Sequence, residues 1–206
     1  MNRIEQIYRD APRPAAFARG YLGYLSEVLG RLDDAAIAAF IDALLSARER
    51  GARIFFIGNG GSAATASHFA NDIAIGSRSF ERPFRAISLA DNVAILTAVA
   101  NDYGYDEVFV RQLQALMSPG DVVVAISASG NSPNVVKAVE WANAHGGITV
   151  GLTGFDGGRL MRAARLAVHA PTHKGEYGPT EDVHIVLNHL VGAFLINLCN
   201  AERASQ

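Results

Sequence analysis

The sequence predicts a doubly wound α/β fold, in which helices flank both faces of a parallel sheet, with an N-terminal helical segment before it. Five short apolar runs alternate with longer segments of helical periodicity. The runs are apolar at nearly every position, which is typical of strands buried on both faces, and strands separated by helices pair in parallel. The pattern therefore predicts a sheet covered on both sides. The predicted strands are residues 53–57, 84–88, 121–126, 149–153 and 166–169.

The helices before and between these strands are predicted from apolar residues at helical spacing. Asp33 or Asp34 is a suitable cap for the second helix. The last helix is expected to begin at Pro179 or Thr180, which places Glu181 in its first turn, where a carboxylate favours the helix dipole. The predicted helices are residues 15–32, 33–50, 62–75, 92–99, 105–117, 134–145, 158–164 and 179–202.

The length and composition fit one domain with a sizeable core. The chain has 206 residues, of which half are hydrophobic, and its formal net charge is −2. We expect one domain over residues 1–206, with N-terminal helices up to residue 50 and an α/β core after it, because no linker or repeat interrupts the pattern. The small net charge provides no attraction to nucleic acid or to an anionic membrane.

The same composition predicts a cytoplasmic protein with neither a membrane nor a nucleic acid as partner. Cys199 is the single cysteine, which excludes an internal disulfide and fits a reducing compartment. It lies in an apolar helical stretch, so we expect a buried thiol. The N-terminus has no apolar signal region. No uncharged apolar run reaches the roughly 18–20 residues that a membrane span needs.

A glycine-rich turn follows the first predicted strand and opens a helix. It reads Gly58-Asn59-Gly60-Gly61-Ser62. Glycines such as Gly60 let the backbone approach a ligand, and the free amides of a helix start bind anions. The turn lacks the lysine of a P-loop and the G-x-G-x-x-G spacing of a dinucleotide fold. The alternative is a turn chosen only for its backbone geometry.

A serine-rich loop follows the third predicted strand and favours the interpretation that the glycine turn binds a ligand. Ser127, Ser129 and Ser132 bring three hydroxyls within six residues, and Pro133 suits the first turn of the next helix. Ligands of open α/β sheets bind at the carboxyl ends of strands, where both loops lie. The two loops together therefore predict a phosphorylated small molecule as the ligand.

Two pairs of acidic and histidine side chains share helix faces. His68 and Asp72 are four residues apart, and Glu181 and His189 are eight apart, about two turns. His184 is about 140° from His189 around the helix and has apolar neighbours, so a core or interface position is expected. The pairs can form an acid–base set or bind a metal such as zinc. Surface or hydrogen-bonded histidines are the alternative.

A third polar segment follows the short helix after the second predicted strand. It reads Asn101-Asp102-Tyr103-Gly104 and has the composition of a turn. Asp102 alternatively binds a sugar hydroxyl.

These motifs, taken in order, resemble the sugar isomerase (SIS) domain family, and within it the phosphoheptose isomerase subgroup. The resemblance covers about residues 50–195. Its motifs are the glycine turn, Ser67-His68-Phe69-Ala70, Ala100-Asn101-Asp102-Tyr103-Gly104, the serine loop from Ile126 to Ser132, Leu152-Thr153-Gly154-Phe155-Asp156-Gly157-Gly158, and the spacing of His184 and His189. The resemblance implies an α/β sandwich that assembles as a homotetramer, with sites built between subunits.

The resemblance also implies roles for individual residues. The substrate phosphate would be bound by Ser62, Ser127, Ser129 and Ser132, and the sugar by Asn59 and Asp102. Asp72 stands where the family has a glutamate base, and His189 would be its partner. Some members bind zinc at positions that match His68, Asp72, Glu181 and His189.

The sequence departs from the family pattern at three of these positions. Asp72 replaces the usual glutamate and is one methylene shorter, Glu181 replaces a glutamine and adds a charge, and Ala128 replaces a threonine. A carboxylate at position 181 favours metal binding, or raises the pKa of a neighbouring carboxylate. The loop over residues 76–83 is also expected to differ in length.

The resemblance implies an aldose–ketose isomerase, which interconverts sedoheptulose 7-phosphate and glycero-manno-heptose 7-phosphate through an enediolate. Three alternatives remain open. One is a non-catalytic relative that binds the replication initiator DnaA, although that relative lacks the counterparts of Ser129 and His189. Another is a regulator that senses a sugar phosphate, which usually carries an added DNA-binding domain. The third is an isomerase of another phosphosugar.

Overall fold

The protein is built around a five-stranded sheet in which all strands are parallel. The computed structural model describes residues 1–205. The strand order is β2-β1-β3-β4-β5. The order reverses beside β1, because the chain runs first to one side of this strand and then to the other. This doubly wound sheet confirms the predicted fold class. The strands are β1 (Arg53–Gly58), β2 (Arg85–Ser88), β3 (Val122–Ser127), β4 (Ile148–Thr153) and β5 (Leu166–His169).

Helices cover both faces of the sheet. They are α1 (Arg3–Asp10), α2 (Pro14–Leu29), α3 (Asp34–Arg50), α4 (Gly61–Asn71), α5 (Val93–Tyr103), α6 (Val110–Leu116), α7 (Pro133–Ala144), α8 (Gly158–Ala163) and α9 (Tyr177–Ala204). One buried cluster combines residues of α2, α3, α4 and α9 with one face of the sheet. A second cluster combines residues of α6, α7 and α8 with the other face. The layers are therefore helix, sheet and helix.

Strand β1 shows why the predicted strands are apolar throughout. Ile54 and Phe56 belong to the first cluster, whereas Phe55 and Ile57 belong to the second. All four side chains are fully buried. Alternate residues of a strand point to opposite faces, so a strand covered on both sides needs apolar residues at each position.

The N-terminal segment contains three helices, one more than the two named from the sequence. Asn2 caps the additional helix α1 by accepting from the Glu5 amide. Asp33 caps α3 through the amides of Ala35 and Ala36, as one of the two candidates for this cap. The chain between α1 and α2 is short, and α1 packs on α2, which in turn packs on α9.

Several helix boundaries differ from the predictions, and four of the differences bear on the site. The helical turn that continues α4 is a π-helix from Asp72 to Gly76. A 3₁₀ turn, Tyr105–Glu107, precedes α6 and breaks the single helix expected there. Helix α5 extends to Tyr103, so Asn101 and Asp102 are helical and the turn predicted for them is wrong. Helix α9 begins at Tyr177, so Glu181 lies in its second turn.

Helix α9 is the longest element and forms one wall of the first core. Its residues Val183, Leu187, Val191 and Leu195 are fully buried, and Cys199 is buried as expected. By length and composition α9 could also cross a membrane, and 44% of its most apolar window is buried within the fold. A helix in the core of a domain has the same composition, so this feature of α9 is weak evidence for a membrane span.

Candidate active site

Two loops at the carboxyl ends of neighbouring strands enclose a cavity of about 260 Å³. Strands β1 and β3 are adjacent, and Gly58 is paired with Ile126, so the loops that follow them lie side by side. The strand order reverses at this point, which is where open α/β sheets bind their ligands. The lining residues are Asn59, Gly60, Gly61, Ser62, Ile126, Ser127, Ala128, Ser129, Ser132, Tyr177 and Glu181.

The polar groups of the cavity suit a phosphate. Helix α4 begins at Gly61, so the free amides of its first turn lie at this end of the sheet, beside the start of α7 at Pro133. The hydroxyls of Ser127 and Ser132 are 3.2 Å apart. The Ser129 hydroxyl accepts from the Asn131 amide at 3.3 Å. The structure thus brings together all four serines that were predicted to bind phosphate.

A glycine contact fixes the serine loop against the loop after β4. Gly130 has φ of +63°, and a Cβ atom there would lie 2.0 Å from the Gly157 carbonyl oxygen. A Cβ atom on Gly158 would lie 2.5 Å from the Ser129 carbonyl oxygen. Only glycine allows these two backbones to approach so closely. The Asp-Gly-Gly segment after β4 therefore packs directly against the backbone of Ser129 and Gly130.

Asn59 is held by two residues that the sequence did not indicate as part of the site. Its amide exchanges two hydrogen bonds with the amide of Asn134, at 2.8 and 2.9 Å. The Tyr105 hydroxyl also donates to Asn59 Oδ1 at 2.9 Å. Asn59 therefore ties the glycine turn to α7. Tyr177, which lines the cavity from the start of α9, is a third residue that was missed.

The second group of predicted residues forms a cluster between α4 and α9. His68 Nε2 lies 3.2 Å from Asp72 Oδ2. The rings of His68 and His189 meet edge to face, with their centres 5.0 Å apart. One ligand atom from each of the three side chains lies within 4.8 Å of the others. Two imidazoles and a carboxylate are the donors of many catalytic zinc sites, so the cluster fits this metal.

Glu181 lies at the cavity rather than in this cluster. A Cβ atom on Gly61 would come within 2.4 Å of its Oε2 atom, so the carboxylate lies against the start of α4. Helices α4 and α9 run side by side in the same direction, and Glu181 is two turns, roughly 12 Å, before His189 along α9. Burial, and then the charge of Asp182, raises the pKa of Glu181.

The remaining predicted residues lie outside both groups. Asp102 is exposed near the end of α5, where it accepts from the amide of Asn101 at 2.8 Å, and it does not line the cavity. His184 is fully buried, as its apolar neighbours predicted. Its Nε2 atom lies 3.3 Å from the carbonyl oxygen of Thr153. Burial lowers the pKa of His184 to about 4.

The arrangement thus combines an anion site with an acid–base cluster at two ends of one helix wall. Ser62 is in the first turn of α4 and His68 is six residues later, roughly 9 Å along the helix axis. A small phosphorylated molecule with its phosphate in the cavity can therefore reach the cluster with its other end. The His68, Asp72 and His189 cluster lies on α4 and α9, and the glycine and serine loops follow strands β1 and β3 of the sheet.

Comparisons with known proteins identify the family of this chain. The family model described as SIS domain matches residues 18–154. A phosphoheptose isomerase of Geobacter metallireducens is 45% identical over 155 residues, which cover 75% of this chain and 81% of that protein. The phosphoheptose isomerase structure from Neisseria gonorrhoeae has a TM-score of 0.78 at 29% identity, covering 86% of this chain and 96% of that one. The corresponding Francisella tularensis structure has a TM-score of 0.79 at 28% identity, covering 87% and 96%. The chain therefore belongs to the SIS domain family.

Proposed function

We propose that this protein is an aldose–ketose isomerase, an intramolecular oxidoreductase, that interconverts sedoheptulose 7-phosphate and glycero-manno-heptose 7-phosphate. The observation that carries the proposal is the pair of sites along α4, with serine hydroxyls at one end and His68, Asp72 and His189 at the other. The relatives named phosphoheptose isomerase support the choice of a seven-carbon sugar.

The phosphate would bind in the cavity at the carboxyl ends of β1 and β3. Ser62, Ser127, Ser129 and Ser132 supply hydroxyl donors, and the first amides of α4 add their dipoles. Gly60 has no side chain to obstruct the phosphate. Asn59 would contact the sugar, and its fixed orientation defines which groups it can offer. Asp102 can reach a substrate only on the exposed side of α5. We therefore propose that it contacts the sugar bound by a neighbouring subunit.

The reaction needs a base near C1 and C2 and an acid near the carbonyl oxygen. Asp72 would remove the proton from C1 of the ketose, and His189 would donate a proton to the oxygen on C2. The resulting enediol takes the proton back from Asp72 at C2 and gives its O1 hydroxyl proton to His189, which yields the aldose and restores both groups. His68 contacts both residues and would orient them.

Zinc is the cofactor that the cluster fits best. His68, Asp72 and His189 would be its ligands within one chain, and we propose that Glu181 joins them only through movement or from elsewhere in an assembly. Bound zinc supplies Lewis-acid stabilisation of developing charge on the substrate oxygens. Asp72 has two carboxylate oxygens, so ligation through one leaves the other available as a base.

We also propose that the protein is a cytoplasmic homotetramer with its sites between subunits. Helix α5 is apolar, yet none of its residues is buried, and Val93 is 69% exposed. On α9, Leu190 and Phe194 are large exposed residues one turn apart, and Leu190 directly follows His189, which is itself exposed. Exposed apolar patches of this kind mark contacts between proteins. A second copy packed on Leu190 and Phe194 would lie beside His189.

Replacing Phe194 tests this assembly. We expect Phe194→Asp to dissociate the oligomer and to lower kcat/KM at least tenfold, because a buried unpaired charge costs more than about 2 kcal/mol in the interface. The native mass is measured by size-exclusion chromatography with light scattering. Phe194→Leu keeps an apolar side chain and should retain both the mass and the activity. An unchanged mass for Phe194→Asp would contradict the interface.

A coupled assay against five-, six- and seven-carbon phosphosugars, with and without a chelator, tests the function. We expect turnover of sedoheptulose 7-phosphate, loss of turnover on chelation, and recovery on addition of zinc. Turnover of a different phosphosugar would favour another isomerase of the same mechanism. No turnover of any sugar would favour the binding-protein alternative. The presence of Ser129 and His189 argues against that outcome.

A further inference from the structure

Asn188 is a buried polar residue next to the proposed site, and the mechanism above gives it no role. It lies on α9 immediately before His189 and is fully buried. Its Nδ2 atom donates to Asp72 Oδ2 at 2.9 Å. Its Oδ1 atom is buried and has no hydrogen-bond partner among residues 1–205. One half of this amide is therefore used and the other half is left unpaired.

The orientation of the amide is determined by its neighbour. A rotated amide would direct Oδ1 at the carboxylate of Asp72, so that two acceptors would face each other. The observed orientation avoids this contact but leaves a buried acceptor without a donor, which is unfavourable. An apolar side chain would avoid the cost altogether. Folding alone therefore does not explain an asparagine at this position, and unsatisfied buried groups in native proteins often have a functional reason.

The carboxylate of Asp72 needs support for a geometric reason. Asp72 is the first residue of the π-helical turn that follows α4. A Cβ atom added at Gly76 or at Gly192 would lie 3.8 or 3.9 Å from the Cβ atom of Asp72. These glycines leave space around the side chain. His68, the other side chain that faces Oδ2, is 41% exposed, whereas Asn188 is fully buried.

We propose that Asn188 is a positioning residue that fixes the carboxylate of Asp72 for proton transfer. The buried amide holds Oδ2, so that Oδ1 faces outward toward the substrate. Among residues 1–205, the hydrogen bond to Oδ1 comes from the exposed side-chain amide of Asn71, at 3.1 Å, which a substrate can displace. This inference rests on the proposed function, in which Asp72 is the base. The unpaired Oδ1 of Asn188 is unfavourable for folding, but the same amide fixes the Asp72 base.

The length of the side chain at position 72 provides a specific test. A glutamate at this position would carry its carboxylate about 1.5 Å farther along the chain, one carbon–carbon bond, beyond the amide of Asn188. The Asn188 amide should therefore matter for an aspartate and matter little for a glutamate. A purely structural role for Asn188 would affect both versions equally.

The experiment compares four proteins: the unchanged chain, Asn188→Leu, Asp72→Glu, and the double variant. Each is assayed on sedoheptulose 7-phosphate at saturating zinc. We expect Asn188→Leu to lower kcat by roughly 30-fold to 100-fold, because a displacement near 1 Å can cost that much, with KM changed less than about threefold. In the Asp72→Glu background the same substitution should change kcat by less than about threefold.

Thermal unfolding provides a readout that does not depend on activity. We expect Asn188→Leu to unfold at the same temperature as the unchanged chain or higher, because the unpaired acceptor is removed. Asn188→Ala, which cannot overpack the site, should show the same kcat loss if the leucine variant fails to fold. Asn197→Leu is the matched control, since Asn197 is exposed on the same helix and bonds only the Ala193 carbonyl.

The outcomes separate this inference from the proposed function. If the unchanged chain does not convert the sugar, the proposed function fails, whatever the variants do. If the unchanged chain is active and Asn188→Leu has an equal kcat, the positioning role is wrong while the function stands. The positioning role would also be wrong if Asn188→Leu lowered kcat equally in the unchanged chain and in Asp72→Glu, or if it mainly raised KM.

Discussion

Asp72→Asn should lower kcat by about 10³-fold while the affinity for phosphate ligands stays within roughly twofold. General base catalysis contributes about 10²–10⁴-fold, and an amide oxygen cannot accept the proton from C1 at neutral pH. The substitution keeps the size of the side chain, and its amide oxygen can still accept from Asn188. The phosphate cavity lies at the other end of α4, so it should be unaffected.

The kcat comes from the coupled assay, and phosphate affinity from competition by a non-reacting sugar phosphate. Asp42→Asn is the matched control, because Asp42 is exposed on α3 and lies outside the cavity and the cluster. Its activity should equal that of the unchanged chain. Full activity in Asp72→Asn would remove this residue from the mechanism. A parallel loss of phosphate affinity would mean that the substitution disturbs α4 as a whole.

The sheet and the phosphate cavity could be predicted because their signals are local in the sequence. Strands buried on both faces must be apolar throughout, as β1 and β3 are. Glycines and serines directly after such strands indicate a loop at the carboxyl edge of the sheet. The adjacency of the two loops then follows from the strand order, in which Gly58 pairs beside Ile126.

The cluster was only partly predictable, because it depends on how two helices far apart in sequence are aligned. Helical spacing predicted that Glu181 and His189 share one face of α9. It could not predict that Glu181 contacts Gly61, which lies two turns before His68 on α4, and is therefore distant from the cluster. The roles of Tyr105 and Asn134 were hidden for the same reason, since both act through Asn59 across the sheet edge.

The π-helical turn at Asp72 also could not be predicted from the sequence. Periodicity predicted one continuous helix through residue 75, because a π turn adds a residue to the helix without an obvious change in composition. Such turns are frequent at functional sites. The position of Asn188 could not be predicted either, because a single polar residue within an apolar helix can also be exposed. Its burial is a tertiary property.

Gly130→Ala should have the largest effect among changes to the phosphate cavity. The added methyl group would lie 2.0 Å from the backbone oxygen of Gly157, and Gly130 already has φ of +63°. Strain of this kind costs about 1–3 kcal/mol before the clash is counted. The contact joins two backbones, so neither side can move away as a flexible side chain would. The loop must therefore shift, and Ser129 shifts with it.

We expect at least a hundredfold loss of phosphate affinity in Gly130→Ala, with a lower melting temperature, measured by calorimetry and thermal unfolding. The loss of two hydroxyl donors to the phosphate, at about 1.4 kcal/mol each, is enough for a hundredfold loss of affinity.

Gly23→Ala is the control, because nothing lies within 4 Å of the added methyl and the residue is inside α2. That variant should be slightly more stable, by about 0.5–1 kcal/mol. If Gly130→Ala bound phosphate normally, the hydroxyls of the serine loop would not be the phosphate site. The anion would then have to be held by the start of α4 alone, and the substrate would lie differently with respect to Asp72 and His189.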